Sequence, residues 1–236
     1  MTVSIATAPV TRVGEAGAGA RAMVPWLAGV IPFGLVIGVS AAQSDVSTFA
    51  GWLTGPLLYG GSAQIATIEL LGAGAAPAVV VLTALVINLR LILYSGAMAT
   101  YWRGTPRWWR YLAAYLLVDP SFVVGHDRYR RGGDRIGGHA HYLGGAVVLW
   151  VSWLLAIGLG ATLGAQLPEA LRLEFIIPLY LIGEVGRRLS DTATRRAALT
   201  AAAVAVAAFA TPLHLGVLLA IVAGLATGIH AQAVRR

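Results

Sequence analysis

The chain has 236 residues, 58% of them hydrophobic and 11% charged, with a mean hydropathy of +0.75. Those values exclude an ordinary soluble domain and point to an all-α integral membrane protein. The net charge is +7 and all 17 basic residues are Arg, but they cluster in short connections, which fits membrane topology and argues against a nucleic-acid-binding surface.

Residues 1–21 are rich in Ala, Gly and Thr, carry Arg12, Glu15 and Arg21, and lack the apolar core of a signal peptide. They read as a short disordered cytoplasmic tail ahead of one polytopic membrane domain over residues 22–236. Apolar segments follow at Met23–Gln43, Thr48–Leu71, Ala75–Ala99, Tyr111–Gly125, Tyr142–Gln166, Phe175–Val185, Ala197–Leu213 and Leu215–Ala231. These runs are continuous, without the alternation of a transmembrane β-barrel. A spanning helix needs about 20 residues. Tyr111–Gly125 and Phe175–Val185 are shorter and are interrupted by Pro120 and Pro178, so the pattern predicts about 6–8 transmembrane segments, two of them broken or re-entrant.

Arg concentrates on the cytoplasmic side of membrane proteins. One cluster is Arg103, Arg107 and Arg110, a second is Arg128, Arg130, Arg131 and Arg135, a third is Arg187, Arg188, Arg195 and Arg196, and Arg235 and Arg236 end the chain. Plain crossings from a cytoplasmic N-terminus place at least one cluster outside. Every cluster is satisfied, with both termini cytoplasmic, if Thr48–Leu71 and Tyr111–Gly125 dip in and return. Thr48–Leu71 carries Gly55-Pro56 and Gly60-Gly61 as breakers, and non-helical backbone is tolerated at membrane depth where protein or a water-filled cavity surrounds it.

Ionisable residues inside such segments are costly and mark a pathway or site. Arg90 stands in a run otherwise uncharged from Ala75 to Ala99, with Asn88 before it and Tyr94 after it. Arg90 either snorkels to the interface, is neutralised by Asp119, or binds a carboxylate bidentately. On a regular helix Asn88 and Arg90 are about 200° apart, so a shared site requires a break between them or flanks that wrap around the substrate. Asp119 precedes Pro120, which suits a proton carrier, a receptor for an ammonium, or a helix cap. Gly60-Gly61-Ser62-Ala63-Gln64 offers exposed amides and two hydrogen-bonding side chains at a break. Glu69 and Glu184 lie nearer segment ends and read as interfacial, and Gly158, Gly160, Gly164, Gly224 and Gly228 as close-packing positions. Trp150 and Trp153, well inside their segment, read as packed. Zero cysteine removes disulfides and thiolate chemistry, no metal-ligand spacing of histidines stands out, and no nucleophile–base spacing supports an enzyme, so no cofactor is expected.

These residues resemble the AzlC family, the large subunit of branched-chain amino acid exporters. The resemblance rests on Gly29-Val-Ile-Pro32-Phe33-Gly34 with Gly38, Tyr59-Gly-Gly-Ser-Ala-Gln64, Asn88-Leu-Arg90 with Leu93-Tyr94-Ser95, and Val118-Asp119-Pro120-Ser121-Phe122, and it extends from about Ala22 to Gly228. It implies ion-driven export of branched-chain or similar hydrophobic amino acids across the plasma membrane, with a small AzlD-like membrane partner. The chain departs from the family pattern in having Gly60 for an alanine, Val118 for a threonine and Pro120 for a glutamate. The expected substrate site comprises Gly61, Ser62, Gln64, Asn88, Arg90 and Asp119. The competing expectation is a non-transporting membrane subunit in which Arg90 and Asp119 form a packing ion pair.

Overall fold

The computed structural model describes residues 12–44, 47–164, 186, 189, 192–208 and 215–233. The expected segment Phe175–Val185 with Glu184, together with Arg187, Arg188, Arg235 and Arg236, lies outside the described residues. Among the described residues every regular element is an α-helix. Among the described residues three helices are long and apolar enough to cross a bilayer: α1 (Arg12–Gln43), α4 (Pro77–Ala99) and α7 (Arg135–Gly164). Helices satisfy their own backbone groups, which hydrocarbon cannot do for them, and the chain is a membrane protein on this ground. Between them lie α2 (Thr48–Leu58) and α3 (Gly61–Gly72), then α5 (Arg107–Tyr115) and α6 (Asp119–Arg130); α8 (Thr192–Ala207) and α9 (Leu215–Ala233) follow.

The disordered tail expected through residue 21 gives way to helix from Arg12. The physical reason is a tertiary one: Gly19 is buried against α7, and Glu15 accepts two hydrogen bonds from Arg128, at 2.6 and 3.1 Å, with the two side chains only 12% and 17% exposed. A sequence window cannot register a partner 113 residues away.

Helices α1 and α7 form the scaffold, and glycine makes their approach possible. A Cβ at Gly19 would collide with the carbonyl of His141, one at Gly38 with that of Ile157, one at Gly144 with that of Ala16, and one at Gly160 with that of Leu35. Residue numbers rise together along this seam, so the two helices run parallel. Without a hydrophobic drive between helices in lipid, such close backbone packing supplies the association energy. The packing role expected of Gly160 and Gly164 is borne out, and Trp153 is buried in the same core.

Both broken segments are hairpins of half-helices. The α2–α3 hairpin starts with Gly51 against Ala41 and ends with Gly72 beside Ser44, so both of its ends lie at the C-terminal end of α1. Its turn is at Tyr59, in the left-handed region (φ 37°, ψ 50°), with Gly55 and Pro56 kept inside α2. The α5–α6 hairpin has both ends at the opposite end of the bundle, where Trp109 packs on His139 (centroids 4.5 Å) and Tyr129 donates to or accepts from His139 Nδ1 at 2.7 Å. Its break covers residues 116–118, two residues ahead of Pro120, which occupies the first turn of α6, where its missing N–H costs nothing. Helix α4 connects the two ends: Trp102, just past it, packs on Tyr142, and Arg135 donates to the carbonyls of Tyr101 and Arg103 at 2.9 and 2.7 Å.

The pair α8 and α9 packs through small residues. A Cβ at Gly224 would stand 3.0 Å from Ala201 Cβ, and one at Gly228 3.4 Å from Ala197 Cβ. The Gly224-x-x-x-Gly228 stripe, expected to allow close packing, is used within the chain. Gly160→Leu must push α1 off α7 and should lower the stability of the purified protein by about 1–3 kcal/mol or more. Gly96→Leu, at a glycine where an added Cβ would meet nothing within 4 Å, should leave it within about 0.5 kcal/mol of the parent. Thermal unfolding in detergent compares the two, and equal effects would contradict the seam.

Candidate functional site

Arg90 stands just past the middle of α4, and the two hairpins bring their broken ends to it from opposite ends of the bundle. Its Nη2 donates to Ser62 Oγ at 3.2 Å, in the first turn of α3, and lies 3.2 Å from Asp119 Oδ2, in the first turn of α6. Two helix N-termini, each carrying partial positive charge from unpaired amides, thus converge on one cation and one carboxylate. Arg90 is paired instead of snorkelling to an interface. Its side chain keeps 37% exposure and that of Asp119 22%, so the pair is open on one side.

Asp119 does not cap α6. Its neighbour Ser121 does that work: the Ser121 hydroxyl accepts from Val118 N–H at 2.8 Å and reaches the carbonyls of Leu116 at 2.8 Å and Val118 at 3.0 Å. The carboxylate is consequently left free for side chains, with Oδ2 facing Arg90 and Oδ1 accepting from the Tyr94 hydroxyl at 2.8 Å.

Helix α4 is unbroken between Asn88 and Arg90, so the break that a common site was expected to require is absent. The two still address the same region of backbone, from different sides. Asn88 Oδ1 lies 3.1 Å from where a Cβ on Gly60 would stand, at the α2–α3 turn, while the long Arg90 side chain reaches Ser62 two residues further on. The Asn88 Oδ1 and the Arg90 Nε are both buried without a hydrogen-bond partner. Gly60, the residue that departs from the family's alanine, sits where a Cβ would crowd that amide oxygen.

Gln64 is not brought to the ion pair. Two residues beyond Ser62 on a regular helix, it points away from α4; it is fully buried near Gly55 of α2, and neither amide atom finds a partner. Gly61 is at the N-terminus of α3 with its α-carbon against the Phe33 ring, where a side chain would collide. Of the expected residues the structure therefore gathers Gly61, Ser62, Arg90 and Asp119, sets Asn88 beside them, and puts Gln64 on the far side of α3. Glu69 is exposed in the last turns of α3, in keeping with an end position.

Two contacts of this region went unseen in the sequence. Tyr94 lies four residues after Arg90, which a helical register could have flagged as the same face. Tyr115 at the end of α5 stacks on Tyr59 (centroids 5.8 Å, 29°), donates to the Pro56 carbonyl at 2.8 Å and accepts from Trp150 Nε1 at 3.0 Å, so it latches the two hairpin tips to each other and to α7. Tyr115→Phe leaves the ring stack but strands a carbonyl and an indole N–H. It should cost about 0.5–1.5 kcal/mol of stability, read by thermal unfolding, and an unchanged midpoint would show that the latch contributes nothing.

No curated protein and no solved structure matches the chain. A family model described as AzlC protein matches residues 25–167, which hold α2 to α6, the ion pair and both hairpin tips. The chain therefore belongs to the AzlC family, a transporter-related family associated with branched-chain amino acid transport.

Proposed function

We propose that the protein is the large subunit of a secondary transporter that exports branched-chain or similar hydrophobic amino acids across the plasma membrane, coupled to the proton gradient. The observation that carries this reading is the Arg90–Asp119 pair held where two half-helices meet N-terminus to N-terminus. Broken helices of this kind present positive ends to a substrate carboxylate in transporters. The backbone amides at Gly61 and the guanidinium of Arg90 attract the carboxylate, and Asn88 stands beside them at the α2–α3 turn. Asp119 receives the substrate ammonium when charged and releases it on taking a proton from outside, and the proton leaves to the cytoplasm as access alternates, so proton and substrate move in opposite directions. The hairpins support a topology in which α2–α3 and α5–α6 are re-entrant, so that Arg103–Arg110 and Arg128–Arg135 share the cytoplasmic side. A small AzlD-like membrane subunit completes the complex. Gln64 belongs to the substrate site in this reading only if α3 turns between access states.

The pair also favours a second reading, in which Arg90 and Asp119 serve packing alone in a non-transporting subunit. Exchanging the charges separates the two. A packing pair tolerates Arg90→Asp combined with Asp119→Arg better than either single change, while a substrate site loses transport in all three.

The direct test is flux of a panel of amino acids in proteoliposomes, with and without a proton gradient and with and without the small subunit. Arg90→Ala should abolish export while the protein remains inserted and abundant, and a fully active variant would overturn the assignment. Topology is tested separately. The chain has no cysteine, so Arg107→Cys introduces a single thiol, which a membrane-impermeant maleimide should reach from the cytoplasmic side; labelling from outside alone would refute the re-entrant arrangement.

A further inference from the structure

We infer that Tyr94 is a positioning residue that keeps the Arg90–Asp119 pair monodentate and so reserves the remaining donors of Arg90 for an anionic substrate group. For its consequence on flux the inference rests on the transport reading above; the contact itself does not.

Tyr94 and Arg90 are four residues apart on an unbroken helix, hence on one face, and both reach the same carboxylate. Each takes a different oxygen: Oδ1 accepts from the Tyr94 hydroxyl at 2.8 Å, and Oδ2 faces Arg90 Nη2 at 3.2 Å. The preferred geometry of an Arg–carboxylate pair is a two-bond fork; each oxygen can accept more than one bond, so it is the turn that the Tyr94 hydroxyl gives the carboxylate, with Oδ1 drawn to the ring and Oδ2 alone facing the guanidinium, that withholds the second bond. The Arg90 Nε, which would take part in such a fork, is buried and has no partner. The tyrosine ring is itself held in place. It lies face to face on Phe122 at 4.4 Å and 11°, and Phe122 is three residues beyond Asp119 on α6, so one helix fixes both the carboxylate and the ring that orients it. The stack continues from Phe122 to His126 at 5.2 Å and 19°, along the face of α6 that leads to the end of the bundle bearing the Arg128–Arg135 connection.

Removing the hydroxyl frees Oδ1 to close the fork, and the substrate carboxylate then competes against a stronger internal partner. In proteoliposomes Tyr94→Phe should raise the KM for amino acid about tenfold with the maximal rate within about twofold of the parent. Phe122→Leu, which loosens the ring but keeps the hydroxyl, should fall between the two. In an Asp119→Asn background, assayed for substrate binding by equilibrium dialysis, Tyr94→Phe should add no further loss, because an amide cannot form the ionic fork. An unchanged KM in Tyr94→Phe, or a full additive loss in the double variant, would overturn the proposal. A second measurement is independent of flux: in protein carrying carbon-13-labelled tyrosine, the infrared phenolic C–O band that disappears in Tyr94→Phe should shift in Asp119→Asn. A band that does not move refutes the contact whatever the flux. Wild-type protein without flux but with a shifting band upholds the contact and sinks the transport reading, while normal flux with a parental KM in Tyr94→Phe upholds the transport reading and sinks the positioning role.

Discussion

A charged side chain at the centre of a bilayer costs about 2.5–3.5 kcal/mol even on the most lenient insertion scales, and Arg90 is placed close to that depth on a spanning helix. The rest of the structure is arranged around that charge. Asp119 neutralises it, Ser62 accepts from it, and each of these lies in the first turn of a half-helix whose start has to be held at depth. Because α3 and α6 both point their N-termini inward, their partial positive ends add to the guanidinium and oppose only one carboxylate. The balance of the site is thus tilted towards attracting a further anionic group.

Ending a helix inside hydrocarbon exposes amides and carbonyls that lipid cannot satisfy, so a break at depth demands protein on all sides. The parallel α1–α7 pair provides the wall. Glycines at Gly19, Gly38, Gly144 and Gly160 let the two backbones touch, and the hairpins then pack on the combined surface: Gly55 meets Leu154 and Ile157, and Trp150 bonds Tyr115. The Ser121 hydroxyl serves the backbone at residues 116–118, and Tyr115 serves the Pro56 carbonyl, so each hairpin supplies hydrogen bonds that the break takes away. At the charged end, Glu15 with Arg128 and Asp127 with Arg131 pair acids with the arginines of the α6–α7 connection. Outside the membrane-spanning segments, the Gly137 and Ile136 amides donate to Asp134, which caps the start of α7 and holds that carboxyl below the usual range.

Several of these features were legible in the residues alone because they are local. Apolar runs of spanning length showed α1, α4 and α7; Gly60-Gly61 and Pro120 marked the neighbourhoods of the two breaks; and Arg90 and Asp119 announced themselves as charges in the wrong solvent. Even there the local code was approximate. Gly55-Pro56 stays helical and the turn falls on Tyr59, since the stacking of that ring on Tyr115 compensates a left-handed conformation that a tyrosine seldom adopts.

What the sequence by itself determined is the class of molecule, the polar residues that need a purpose and the family motifs that carry them, because hydropathy, charge cost and helix-breaking act within a few residues. Tertiary structure alone decided which of those residues meet. It drew Arg90 to Ser62 and Asp119 across 28 and 29 positions, added Tyr94, turned Gln64 to the other side of α3, and extended α1 back to Arg12 to reach Arg128. Long-range pairing depends on where two hairpins dock against a glycine seam, and no window of sequence contains both sides of that contact.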